Sequence, residues 1–150
     1  MADTLQFELV SPEKLLVSEA VGMVVVPGTE GNFGVLPGHA LLISTVRPGI
    51  IDVYDEGKIS ERIFVSGGFA EVTPERCTVL ADEAMPLSSL DRAAIEAELR
   101  TLESTLAGYR DQAARGAGAD RETALLAAAS AERRLAVAHA KLDALGAAAH

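Results

Sequence analysis

The chain has 150 residues, 49% of them hydrophobic, and a formal net charge of −9. That length admits one domain or two small ones with a real core, and the acidity argues against free nucleic acid as a partner, because phosphate contacts need clustered lysine and arginine. Cys77 is the sole cysteine, so an internal disulfide is excluded and a reducing compartment fits.

The first residues lack a basic region followed by a long apolar run and do not read as a signal peptide. No uncharged apolar segment approaches the ~20 residues that span a bilayer, so membrane association is expected only through a partner. From there to about residue 86 the chain reads as strand and turn. Leu5, Phe7 and Leu9 alternate with Gln6 and Glu8, a period of two. Val21 to Val26 is rich in β-branched residues, as a buried strand requires. Further strands are predicted over 41–46, 50–54, 59–65, 69–73 and 78–80, separated by turn signals at Pro48-Gly49, Glu56-Gly57, Gly67-Gly68 and Thr73-Pro74. Short strands at such spacing predict a β-sandwich of about ten strands.

One stretch stands out among them. Between Val26 and His39 lie four glycines and two prolines in fourteen residues, with Phe33, Val35 and Leu36 among them. Glycine admits strained backbone and proline fixes φ, so this reads as a shaped, ordered turn system.

The pattern changes near Pro86. From Ser88 onward there is no proline, and alanine, leucine, glutamate and arginine dominate. Ser88 and Asp91 fit a serine-x-x-acid helix start. Ile95, Leu99, Leu102, Leu106 and Tyr109 recur at spacings of 4, 3, 4 and 3, which puts them on one helical face. Gly116 to Asp120 breaks that helix, with Asp120 as the N-cap of the next. Leu125, Ala128, Ala131, Leu135, Ala138, Leu142 and Leu145 then line one side of a second helix. Two such helices around a short glycine-containing break predict an antiparallel hairpin. The chain thus reads as an α+β protein of two domains, a sandwich over 1–87 and a hairpin over 88–150. Charge divides unequally between them: 13 acidic and 5 basic residues in the first, 9 acidic and 8 basic in the second. Burying an alanine methyl gains only ~0.8 kcal/mol, against ~1.5–3 for leucine. The alanine-rich seam therefore predicts good helices weakly glued together, whether docked for good or able to open.

Reactive chemistry is hard to find. Gly28, Gly31 and Gly34 recur every third residue, but no Gly-Lys-Ser/Thr follows and the next segment reads as strand, so a turn or interface loop is expected there, not a phosphate cradle. His39, His139 and His150 are scattered, and Cys77 has no partner at zinc-type spacing, so no metal site is expected. His39 reads as a surface or interface histidine, and Cys77 as a small semi-buried residue. Asp82 and Glu83 are neighbours that point to opposite faces of a strand, and Glu30 stands alone in its loop. No nucleophile, base and orienter come together in the sequence. The arginines of the second half read as a solvated helical face with i,i+4 partners such as Glu96 with Arg100. As a surface, they suit an acidic partner. From these residues alone, a contact module, a ligand-binding sandwich with a helical oligomerisation hairpin, and a small enzyme whose site forms only in three dimensions all stay open.

The run Gly-x-x-Gly-x-x-Gly-x-x-Pro-Gly-His-Ala over Gly28–Ala40, with Arg47-Pro48-Gly49, Ser66-Gly67-Gly68 and Val79 to Asp82, resembles in order the signature of the epsilon subunit of the F-type ATP synthase. The likeness covers nearly the whole chain. It implies a rotor subunit of the central stalk with no catalytic residue and no cofactor. Its sandwich would bind the gamma subunit and rest on the c-subunit ring, passing proton-driven rotation to the alpha/beta catalytic head at the cytoplasmic face of the bacterial inner membrane. The resemblance places Glu30, Gly31, Asn32 and Phe33 against the polar loops of the ring and His39 near gamma. Asn32 stands where some relatives carry an acid. The helical hairpin would restrain ATP hydrolysis by extending into the head, with Arg115, Arg133 and Arg134 meeting an acidic segment of beta. Some relatives bind ATP on the folded hairpin through Ile/Leu-Asp-x-x-Arg-Ala. Here Leu90-Asp91 begins that motif, Ala94 replaces its arginine, and Ser130 replaces another on the second helix, so ATP binding is expected to be weak or absent.

Overall fold

The alternation at the start of the chain is met by burial: Leu5, Phe7 and Leu9 are fully enclosed, while Gln6 and Glu8 between them are half-buried. The computed structural model describes residues 4–148. Ten strands form one curled sheet: β1 (Leu5–Val10), β2 (Leu15–Val21), β3 (Met23–Gly28), β4 (Gly31–Val35), β5 (Leu42–Val46), β6 (Gly49–Asp55), β7 (Lys58–Val65), β8 (Gly68–Val72), β9 (Arg76–Ala81) and β10 (Ala84–Pro86). A 3-10 turn, Leu87–Ser89, precedes α1 (Arg92–Arg115) and α2 (Gly118–Ala148). The chain divides between Ser89 and Leu90 into two compact units. The expected β-sandwich followed by a helical hairpin is what the chain forms.

In the sheet unit, β4, β3, β6, β7 and β10 make one layer and β5, β8, β9, β1 and β2 the other. All pairings are antiparallel except β1 with β9. Three neighbouring strand paths bend from one layer into the other: β5 into β6 at Arg47-Pro48, β7 into β8 at Ser66-Gly67, and β9 into β10 at Asp82-Glu83. Such bends make the corners of folded-over sheets. Hydrogen bonds lace this corner: the Ser66 N–H donates to Glu83 O at 3.0 Å, and the Asp82 N–H to Gly67 O at 3.0 Å. At Gly68 it has no room for a side chain, and at Gly49 little. A Cβ on Gly68 would lie 1.9 Å from Leu80 O, and one on Gly49 would lie 3.0 Å from the Pro27 ring. Three of the sequence motifs that carry the family resemblance thus build this corner.

The inner faces of both layers share one apolar core that includes Phe7, Val26, Ile51, Val65, Val72 and Val79. Fully burying each such side chain contributes ~1.5–3 kcal/mol. Cys77 belongs to the same core and is completely enclosed, where semi-burial was expected; burial pushes its thiol up to about 12. On the sheet rim, Glu19 of β2 approaches Glu61 of β7 and Asp55 of β6. Burial first, then a hydrogen bond to Glu61 and the negative charge of both neighbours, raises its carboxyl above the ordinary range.

Several boundaries differ from the sequence reading. The apolar run 21–26 is not one strand: Gly22 bends the chain between β2 and β3, its N–H donating to Tyr54 O at 2.9 Å. β2 was hidden because its residues are mostly half-exposed and do not alternate cleanly. The glycine-rich stretch is itself a β-hairpin, β3 with β4, and the three-residue β10 was too short to register. Ser88 does not cap α1; it lies in the 3-10 turn, and the Asp91 side chain caps the helix by accepting from the Ala93 N–H at 3.1 Å. Asp120 sits inside the first turn of α2, which begins at Gly118.

The hairpin seam gathers Leu106, Ala128 and Ala131, with Tyr109 and Leu135 against them. Leu125 stands off it, 48% exposed, and Ala124 is buried in its place. At 100° per residue, Leu125 is about 120° around the helix from Ala131 and Ala124 only about 20°. Glu96 and Arg100 do not pair. Arg115 instead meets Asp111 at 3.3 Å, and Arg110 reaches across to Glu132 at 2.8 Å.

Steric crowding at the corner and its absence on the helix predict opposite signs for the same substitution. Gly68→Ala places a Cβ against the Leu80 carbonyl at φ +146 and should lower the stability of the full chain by more than ~3 kcal/mol. Gly108→Ala, with open space around it in α1, should raise helix stability by ~0.5–1 kcal/mol. Denaturant melts of the two variants beside the parent chain measure both.

Candidate functional site

The β3–β4 hairpin ends in a two-residue turn, Thr29-Glu30, flanked by the Gly28–Gly31 pair. Gly31 has φ +135, a conformation that glycine adopts without strain. Gly28 is buried under the Phe33 ring; an added Cβ would meet that ring at 3.0 Å and Gly31 O at 2.8 Å. Phe33 is therefore half-buried and packs on the core, while Glu30, Gly31 and Asn32 are exposed. The residues predicted for one contact are brought together on one projecting turn, with the aromatic as its internal support.

Arg47, absent from the sequence-based candidates, lies against this turn. Its N–H donates to Pro27 O at 2.9 Å, its guanidinium donates to Gly28 O, and a second guanidinium nitrogen donates to Asn32 Oδ1 at 2.6 Å. The Thr29 N–H donates to Thr45 O at 3.1 Å.

His39 sits beyond the other end of β4, apart from the tip in the chain path. Its backbone N–H donates to Leu36 O at 3.1 Å, and its Nδ1–H donates to Ala40 O at 2.7 Å. The same loop is tied to the β8–β9 turn by the Gly38 N–H, which donates to Pro74 O at 2.7 Å.

The outer face of the second layer carries a feature the sequence reading missed. Thr45, Phe69, Leu80 and Val10 form one cross-strand row on β5, β8, β9 and β1. Ile43 lies one step along β5 and Leu41 precedes it. Ile43 is 75% exposed, Leu41 76%, Phe69 58% and Leu80 54%. The next row is Ile43, Glu71, Thr78 and Glu8. An open groove runs beside it, lined among others by Glu71, Glu75 and Arg76, with Arg76 paired to Glu8 at 3.0 Å. The signal was present in the alternation: Phe69 and Leu80 occupy outward positions between buried Ala70 and Val79, where a solvated face calls for polar residues.

In the helical unit, Arg115, Arg133 and Arg134 are all exposed. Arg115 is held by Asp111; Arg133 and Arg134 follow Glu132 on α2. Among the described residues no three His, Cys, Asp or Glu side chains converge to hold a metal. His150 lies outside the described residues.

Residues 4–87 match the model of the ATP synthase delta/epsilon chain beta-sandwich domain. The ATP synthase epsilon chain of Rhodospirillum rubrum is 56% identical over 131 residues, covering 85% of this chain and 98% of its own. The chain belongs to the ATP synthase epsilon family. The epsilon chain of Rhodospirillum centenum is 65% identical over 107 residues, covering 68% of this chain and 73% of its own. A chain in the cryo-EM structure of Euglena gracilis mitochondrial ATP synthase, described as OSCP/F1/c-ring, matches with a TM-score of 0.64 and 26% identity over 100% of this chain and 84% of its own. Family membership favours the contact module over the ligand-binding sandwich among the readings left open above. No described helix is long and apolar enough to cross a membrane.

Proposed function

We propose that this chain is a non-catalytic rotor subunit of the central stalk, coupling rotation of a c-subunit ring to ATP synthesis in an alpha/beta head. The observation that carries this reading is the exposed pair of Phe69 and Leu80 with Ile43 beside it and half-buried Val10 at the end of the row, on a strand face whose other side is core. Exposed contiguous apolar surface marks an interaction site. Glu71 and Glu8 in the adjacent row suit a partner whose apolar stripe is edged by basic residues, and gamma is the partner assigned to it, with His39 at its margin. The tip of Glu30, Gly31 and Asn32, supported by Phe33, meets the polar loops of the c ring. Association with the cytoplasmic face of the inner membrane then comes through the complex alone.

The helical hairpin is the regulatory element of this reading. Arg115, Arg133 and Arg134 offer guanidinium forks to an acidic segment of beta, and the alanine seam keeps the hairpin weakly held. Nucleotide binding to the hairpin is weak or absent on this reading: Ala94 and Ser130 leave the ATP motif without two of its arginines.

Three measurements check these parts separately. Phe69→Thr with Leu80→Thr alters only exposed side chains and keeps a strand-compatible pair at directly opposed positions, so the fold should hold, while removing apolar anchors should weaken retention in the purified ATPase at least ~30-fold; wild-type retention refutes the assigned face. A chain ending after Leu87, assembled into the complex, should hydrolyse ATP faster than the full chain. Equal rates refute the restraint and leave coupling intact. Calorimetry of the isolated full chain with MgATP should give no binding in the micromolar range, and such binding would refute the nucleotide-free hairpin.

A further inference from the structure

We propose that Arg47 is a positioning residue that clamps the β3–β4 hairpin and fixes the shape in which Glu30, Gly31 and Asn32 are presented. The proposal rests on the reading of that tip as a contact and adds a residue that the reading does not contain.

Three oxygens of the hairpin accept from this one residue. Pro27 O takes its backbone N–H at 2.9 Å, Gly28 O takes one guanidinium nitrogen, and Asn32 Oδ1 takes another at 2.6 Å. Pro27 and Gly28 lie on β3 and Asn32 on β4, so the guanidinium ties the two strands across the turn. Arginine is suited to such a tie, because its planar guanidinium donates to two fixed acceptors at once, whereas an ammonium is a point donor on a freer stem. All three acceptors are neutral, and among the described residues no carboxylate pairs with Arg47. Hydrogen bonds to a charged donor are the strong ones.

Apart from the strand pairing at its base and the Thr29 N–H bond to Thr45 O, little else holds the tip. Gly31 has φ +135 and nothing near the position of a Cβ, Thr29 and Glu30 are exposed, and Phe33 braces only the base of the turn. Glycine gives a turn conformational freedom, and without a brace that freedom would have to be lost on binding. Arg47 is itself held in place, because it begins the bend that carries β5 into β6. Pro48 fixes φ after it, and Gly49 lets the strand press on Pro27. The clamp therefore connects the corner of the sandwich to its projecting turn.

Backbone amide exchange on the full chain tests the clamp directly. In Arg47→Ala and in Asn32→Leu, exchange at Thr29 and along β4 should quicken about ten-fold or more, with β8 and β9 unchanged. Asn32→Asp keeps an acceptor and should keep slow exchange; Arg47→Lys should restore only part of it. Unchanged exchange in both Arg47→Ala and Asn32→Leu overturns the clamp, and Asn32→Leu supplies the result if Arg47→Ala does not fold. The same variants in the assembled complex should lower proton-driven ATP synthesis in the order of their exchange rates. A loosened tip with full synthesis leaves the clamp standing but overturns the ring contact, and with it the positioning role.

Discussion

Two backbones meet at Gly68 with no side chain between them, and the sandwich depends on that approach. A Cβ there would sit 1.9 Å from the Leu80 carbonyl oxygen. Only because that space is empty can β5/β6, β7/β8 and β9/β10 turn together from one layer to the other. Only because they turn together do the inner faces of both layers enclose one core. Val46, buried on β5, pairs with Gly68 on one side and with Gly28 on the other. Gly28 is where β3 leaves the first layer and its hairpin begins. A single row of the sheet thus joins the folding constraint of the corner to the geometry of the projecting turn. Arg47 occupies the bend between them.

This arrangement changes the meaning of the family motifs. Arg47-Pro48-Gly49, Ser66-Gly67-Gly68 and the segment ending at Asp82 read as a signature from sequence, and the natural inference is that they mark contact surface. Two of the three are glycine-bearing bends: Gly68 passes the Leu80 backbone, on the strand that the third supplies, and Gly49 presses on the Pro27 ring. Their demand for small residues is steric. The outward apolar row does not follow from those steric demands: Ile43 and Phe69 lie outside the quoted motifs, and Leu80, though inside one, faces outward as an ordinary strand residue. What distinguishes them is the side of the strand they occupy, and that becomes visible only when register is known.

That contrast also explains what was legible beforehand. The change of period near Pro86 separated sheet from helices, because alternation and 3.6-residue spacing follow from backbone geometry whatever the topology. The inward set Leu5, Phe7 and Leu9 was legible for the same reason, as was the α1 stripe from Ile95 to Tyr109. β2 was not, since a rim strand with little burial imposes no alternation. Leu125 was misplaced because alanines at neighbouring positions give no pattern against which to fix the helix phase. The role of Arg47 lay beyond sequence altogether: its three acceptors, on Asn32, Gly28 and Pro27, are distant along the chain, two of them are backbone carbonyls, and no side-chain code records such a partner.

The apolar outer row and the acidic row next to it carry opposite physical costs in a free chain. Phe69, Leu80 and Ile43 keep apolar surface in water that burial would favour by roughly 25 cal/mol per Å². Glu71, in a unit with 13 acidic and 5 basic residues over 1–87, adds like-charge repulsion that a folded monomer would be more stable without, whereas Arg76 offsets Glu8. Neither row serves the core, because both lie on the side of the strands facing away from it. A partner with an apolar ridge and basic flanks removes both costs in one contact, and neither change would disturb the inner face. On the reading proposed above, the two sides of β5, β8 and β9 are set by different requirements: the inner by packing within the chain, the outer by the surface of a partner.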